Sequence, residues 1–275
     1  MIIDSHQHFW KYSPLRHAWI SEEMTTIKKN FLPEDLEIVY RANNVTGCVA
    51  VQADQSEEET EFLLQLASQH NFIKGVVGWV DLRADNLVSR LEYFSQFEKL
   101  KGFRHIVQDE ADPDFLLNPA FQQGLRQLEK RKFSYDILIY PQQFPAAIQT
   151  VKNFLRLRFV LDHLAKPNIK NQEIDGWTEK IREIALAPNV YCKVSGMVTE
   201  ADWLSWKQED FKPYLDVVFE SFGIDRVMFG SDWPVCLLGG SFSAVMEIVK
   251  NYTDGFSAED REKLFYGNAK RFYRL

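Results

Sequence analysis

The chain has 275 residues, of which 45% are hydrophobic and 26% charged, and carries a formal net charge of −7. Those values describe a globular chain long enough to bury its own core. They exclude a nucleic-acid binder, because no lysine or arginine block exists, and a helical membrane protein, because no apolar run approaches the ~20 residues a bilayer requires. The N-terminus lacks the cationic-then-apolar pattern of an export signal. The three cysteines, Cys48, Cys192 and Cys236, form no Cys-x-x-Cys pair. These features predict a cytoplasmic protein with no nucleic-acid or membrane partner, with oligomerisation left open.

In chain order, short apolar runs rich in β-branched residues predict strands at 2–8, 45–52, 73–80, 101–107, 134–140, 158–163, 190–195 and 226–232. Helix-like stretches separate them. PEDLEIVYRAN (33–43) opens with a proline and two acids. SEEETEFLLQLASQH (56–70) has a serine cap, acids in its first turn and apolar residues at Phe62, Leu63, Leu66 and Ala67. NPAFQQGLRQLEKRK (118–132) starts with an Asn cap and a proline and ends in basic residues, as the helix dipole favours. Further helices are predicted near Asp85, Gln143, Asp175, Glu209, Ser241 and Ser257.

Eight alternations of strand and helix predict parallel strands and a single-domain α/β fold over residues 1–275, a distorted (β/α)8 TIM barrel. The rival, an open doubly wound sheet, would carry a glycine-rich loop after its first strand, where this chain has HFWKYSP.

In a (β/α)8 barrel the chemistry lies at the carboxyl ends of the strands. Those ends carry His6 and His8, Gln52, Trp79, Arg104 and His105, Tyr140, Asp162 and His163, Lys193 and Ser195, Ser231 and Asp232. His6 and His8 are two apart, hence on one strand face and about 6.6 Å apart along the backbone. Asp4 lies one step deeper on that face, placed to orient an imidazole. The same alternation puts His163 with Leu161 and turns Asp162 toward the helices, and it puts Arg104 and His105 on opposite faces. Asp232 follows a run so apolar that only nearby cations would keep it ionised; three histidines would do so and leave it able to take a proton from water. The loop tryptophans Trp10, Trp19, Trp203, Trp206 and Trp233 are each expected to pack in the core, with pocket lining as the alternative.

The motifs DSHQHFW, GFRH, LDHLAKP, CKVSG, FGSDWPV and YGNAKRFY, in this order, resemble the amidohydrolase superfamily, and within it the branch that hydrolyses sugar lactones such as L-fucono- and L-rhamnonolactone. The resemblance implies a lactonase. Asp232, His6, His8 and His163 would be its catalytic set, and Arg104, His105, Tyr140, Lys193, Trp79 and Trp233 would face the substrate. Many superfamily members bridge two metals with a lysine or glutamate, and no such bridge is visible here. A single divalent ion, zinc first, on His6, His8, His163 and Asp232 is optional. The connection from Gly196 to Lys212 is expected to be a lid. A metal-dependent decarboxylase of the same fold and a non-catalytic sugar-acid binding barrel are the alternatives.

Overall fold

A computed structural model describes all 275 residues. Its eight strands are β1 Ile3–Gln7, β2 Gly47–Val51, β3 Ile73–Gly78, β4 Leu100–Ile106, β5 Ser134–Leu138, β6 Arg158–Leu161, β7 Val190–Val194 and β8 Val227–Phe229. They pair in parallel in sequence order. The seam between β8 and β1 is closed by single bonds. Asp232 N–H donates to the His6 carbonyl (2.8 Å), His8 N–H to the Trp233 carbonyl (2.7 Å), and the Ser5 hydroxyl to the Phe229 carbonyl (2.7 Å). The result is the expected TIM-barrel-like α/β fold.

The helices are α1 Pro33–Asn43, α2 Glu57–Gln69, α3 Leu87–Phe94, α4 Pro119–Arg131, α5 Phe144–Asn153, α6 Asp175–Ala185, α7 Gln208–Phe222, α8 Phe242–Tyr252, α9 Ala258–Glu262 and α10 Asn268–Tyr273. The cap residues act as their chemistry predicts. Ser56, Asn118 and Ser241 side chains accept from backbone N–H groups in the first turns of α2, α4 and α8. No helix is long and apolar enough to cross a membrane.

Apolar side chains fall into two cores. One fills the space between strands and helices. The other is a nine-residue plug inside the barrel, where Ile3, Val49, Val51, Val77, Val160 and Met228 meet Ala269, Phe272 and Tyr273 of α10. The C-terminal helix therefore stoppers the barrel from below and leaves its carboxyl end open.

Two irregularities set the phase of the strands. The β1–β2 register shifts between Asp4 and Gln7, so Asp4 does not share the face of His6. Asp4 instead accepts from Tyr40 of α1 (2.9 Å), from Ser231 (2.5 and 2.8 Å) and from the His6 backbone N–H (3.1 Å). It clamps the seam and touches no imidazole. After β6, residues 163–166 are all left-handed, with φ between 50° and 53° at the ends and 54° at Leu164. That turn ends strand alternation at Leu161, and both Asp162 and His163 point into the barrel.

Candidate active site

A cavity of about 460 Å³ opens at the carboxyl end of the barrel. His8, His163 and Asp232 lie on its floor, with Arg104, Tyr140 and Trp203 among its walls. His6 lies immediately beneath, fully buried. Asp232 Oδ1 is 3.4 Å from His8 Nε2, 3.8 Å from His163 Nε2 and 3.9 Å from His6 Nε2. Four residues separated by up to 226 positions thus converge on one point.

The protonation states follow from their partners. His8 Nδ1 is 2.8 Å from the Val51 carbonyl, which only accepts, so Nδ1 carries a proton and Nε2 faces the site. His163 Nδ1 pairs with the Ser195 hydroxyl at 2.9 Å. Burial lowers the His163 pKa to about 4, against the pull of Asp232, and lowers His6 well below its ordinary value. Both imidazoles are neutral at neutral pH. Burial alone would raise Asp232, but His163 and His8 overcome it, and its pKa falls below the usual carboxylate value. It is ionised at neutral pH.

Close approach at this floor depends on missing side chains. Gly196 has φ of 65°, and a Cβ there would stand 2.5 Å from His163 Nδ1; one at Gly230 would stand 2.7 Å from His6 Cβ.

Below the floor lies a buried layer of charge. Lys193 Nζ contacts Asp136 Oδ2 (2.6 Å), Asp162 Oδ1 (2.9 Å) and His6 Nδ1 (3.1 Å). Arg104 Nη1 donates to Asp162 Oδ2 (3.0 Å), and its Nη2 donates to the Gln52 carbonyl. Tyr273 of the apolar plug donates to Asp136 (2.7 Å). Burial pushes Asp162 up, yet Lys193, then His6 and Arg104, hold it well below the usual range; burial raises Asp136 to about 6 against Lys193. These paired charges support the His6 ring from below.

Several sequence expectations are corrected here. Asp162 does not face the helices; it is the hub joining Arg104, Lys193 and His6. Lys193 is fully buried under the floor and off the cavity wall, because its stem runs down to Asp136. His105 is on the outer face, as its alternation with Arg104 implied. It pairs with Glu110 (2.6 Å), receives the Trp79 indole N–H (3.3 Å) and stacks on Phe115. Both His105 and Trp79 are thereby withdrawn from the cavity. Trp233 packs edge-on against Phe9 and Phe31 and is 3% exposed. Arg104 and Tyr140 do reach the cavity, as do the tryptophans Trp19 and Trp203. Trp206 instead donates to the Gly239 carbonyl at 2.5 Å. Sequence reasoning overlooked Met24, Asp109, Lys166 and Glu200, which line the walls. Of these only Lys166 carried a signal, inside LDHLAKP.

The donor set suits a divalent ion. Tetrahedral bonds of 2.0–2.1 Å place ligand atoms about 3.3 Å apart. His6 Nε2 and His8 Nε2 are 3.2 Å apart and both near Asp232 Oδ1. Asp162 Oδ1, beside Lys193, stands 3.3 Å from His6 Nδ1, placed to accept the ring N–H and leave Nε2 as a ligand.

Comparison with known proteins accords with this geometry. The profile of the family described as amidohydrolase matches residues 3–275. An L-fucono-1,5-lactonase of Burkholderia multivorans is 39% identical, over 99% of this chain and 96% of that protein. An L-rhamnono-gamma-lactonase of Scheffersomyces stipitis is 25% identical, over 66% of this chain and 61% of its own. A crystal structure of an amidohydrolase from Burkholderia multivorans with bound zinc superposes with a TM-score of 0.95 at 39% identity, covering 100% of this chain and 99% of that one.

Proposed function

Because the chain belongs to the amidohydrolase family, we propose that residues 1–275 form one catalytic domain that opens a sugar lactone, an aldonolactone of the L-fucono-1,5-lactone kind, to the free sugar acid. The observation that carries this reading is the Asp232 carboxylate, ionised and within 4 Å of three imidazoles at a cavity floor. The L-fucono-1,5-lactonase likeness over nearly the whole chain supports the substrate class. The three buried, unpaired thiols accord with a cytoplasmic setting.

A lactone is a neutral cyclic ester, so hydrolysis needs a base for water, a stabiliser for the oxyanion and a proton for the departing ring oxygen. Asp232 accepts the proton of the attacking water. The new carbon–oxygen bond forms at the lactone carbonyl, and its electron pair moves to the carbonyl oxygen. Arg104, a permanent cation on the wall, and His163 face that developing charge. Collapse breaks the ring carbon–oxygen bond, and protonated Asp232 returns its proton to the alkoxide. Water and lactone thus become one hydroxy acid, and Asp232 is again ionised. Tyr140 and Trp203 bound the space for the sugar ring. His6, His8, His163 and Asp232 would hold a zinc ion, and when bound it supplies Lewis-acid polarisation of the carbonyl.

The test is a panel of sugar lactones assayed with a pH indicator, for wild type and Asp232→Asn, with and without chelator. Wild type should acidify at least one L-fucono- or L-rhamnono-type lactone. Asp232→Asn should lower kcat by about 10³-fold. Turnover preserved in Asp232→Asn removes Asp232 as the base. A wild type silent on every lactone rejects the functional reading. Activity lost only with chelator makes the ion essential.

A further inference from the structure

Two charged side chains on the cavity wall are left without hydrogen bonds inside the protein. Lys166 is the last residue of the left-handed turn that aims His163 inward. Glu200 stands in the connection between β7 and α7. Lys166 Nζ and Glu200 Oε1 approach to 3.4 Å, an ion pair without hydrogen-bond alignment, and both side chains are largely buried, 17% and 20% exposed. The ammonium lies 5.2 Å from the centre of the Tyr140 ring, which covers one side of it. Both groups line the cavity that holds Asp232 and His163.

The pair is near the reaction centre. The Lys166 charge acts on both His163 and Asp232, and the Glu200 carboxyl, raised chiefly by burial, also feels Asp232. Both heads reach the open cavity, and at 3.4 Å their pairing leaves hydrogen-bonding capacity for a ligand. Here several ammonium protons and carboxylate lone pairs remain unused on a concave wall.

We infer that Lys166 and Glu200 are a specificity-determining pair for the substrate's ring hydroxyls, with Lys166 Nζ donating to one hydroxyl oxygen and Glu200 accepting from its neighbour. Adjacent hydroxyls on a sugar ring present an acceptor and a donor side by side, which matches the pair's side-by-side cation and anion. The inference rests on the lactone reading above and goes beyond it by naming what distinguishes one sugar from another. Sites built to bind a hydroxyl through buried polar groups reject analogues that lack it.

The experiment is a cycle between enzyme and substrate. Wild type, Lys166→Met and Glu200→Gln are each assayed on the sugar lactone turned over best and on its monodeoxy analogues, one hydroxyl removed at a time. Thermal melting verifies that each variant is folded, and the near-isosteric Glu200→Gln carries the test if Lys166→Met does not fold. In wild type, removal of the contacted hydroxyl should cost about 10- to 100-fold in kcat/KM. In the matching variant the same removal should cost several-fold less than in wild type, because the charged partner is already gone, while the other hydroxyls matter as before. Equal losses in all three enzymes at every hydroxyl overturn the inference. A wild type inactive on all lactones overturns the functional reading instead, and the pair's role with it.

Discussion

The base and the mouth of this barrel are built on opposite principles. At the base, Phe272 and Tyr273 of α10 close the strands with apolar contacts among Ile3, Val49, Val77 and Met228. At the mouth, higher along the strands, the inward positions are histidine and aspartate. Between them lies the layer of Asp136, Lys193, Asp162 and Arg104, fully or almost fully buried. The difference teaches where the two tasks are met. The apolar plug stabilises by removing surface from water. The mouth holds charge in a desolvated setting, an arrangement that by itself adds little to stability. The middle layer couples them, since Lys193 contacts His6 above while its partner Asp136 is bonded to Tyr273 below.

The strongest challenge to this division is Lys193→Met. It leaves Asp136 buried without its cation and Asp162 with Arg104 alone, and should cost about 3–5 kcal/mol in stability. It also removes the contact beneath His6, so kcat should fall in the molecules that remain folded. Chemical denaturation followed by kinetics below the midpoint reads both. An effect on stability alone would show that the middle layer does not couple the two ends. Phe272→Ala should cost a similar or slightly smaller amount, about 3–4 kcal/mol, through a cavity at the base. Its kcat per folded molecule should equal wild type, and a changed kcat would show that the plug reaches the site.

The smallest effect, counted per pH unit, concerns Glu59 in the first turn of α2, buried beside the mouth, where its carboxyl group accepts from the N–H groups of Ala53 and Asp54. Burial raises its pKa from 4.5 to about 8. The folded state therefore binds a proton that the unfolded state releases between these values. The contribution of Glu59 to stability is complete below pH 4.5 and is lost as pH rises to about 8, with a slope of up to ~1.4 kcal/mol per pH unit. Glu59→Gln should flatten the decline of the melting temperature over that range. An unchanged slope would place the carboxylate in contact with solvent.

The legibility of the site in the sequence followed the regularity of the backbone. Strands and helices were readable because periodicity, prolines and caps such as Ser56 and Asn118 act over a few residues. His6, His8, His163 and Asp232 were readable as strand-end residues in a barrel. The face of a residue was readable only where alternation persisted, as at Arg104 and His105. It failed at Asp4, where the register shifts, and at Asp162, where the left-handed turn begins.

The amino-acid order by itself determined eight strands, their parallel pairing and the chemical types gathered at one end, since these depend on local periodicity and on the crossover rule. Only the tertiary structure decided depth and neighbours. It sank Lys193 below the floor, turned His105 and Trp79 outward, seated Trp233 among phenylalanines and brought Lys166 beside Glu200. Those outcomes depend on packing between segments far apart in the chain and on two breaks in strand geometry, whose phase no residue-by-residue pattern carries.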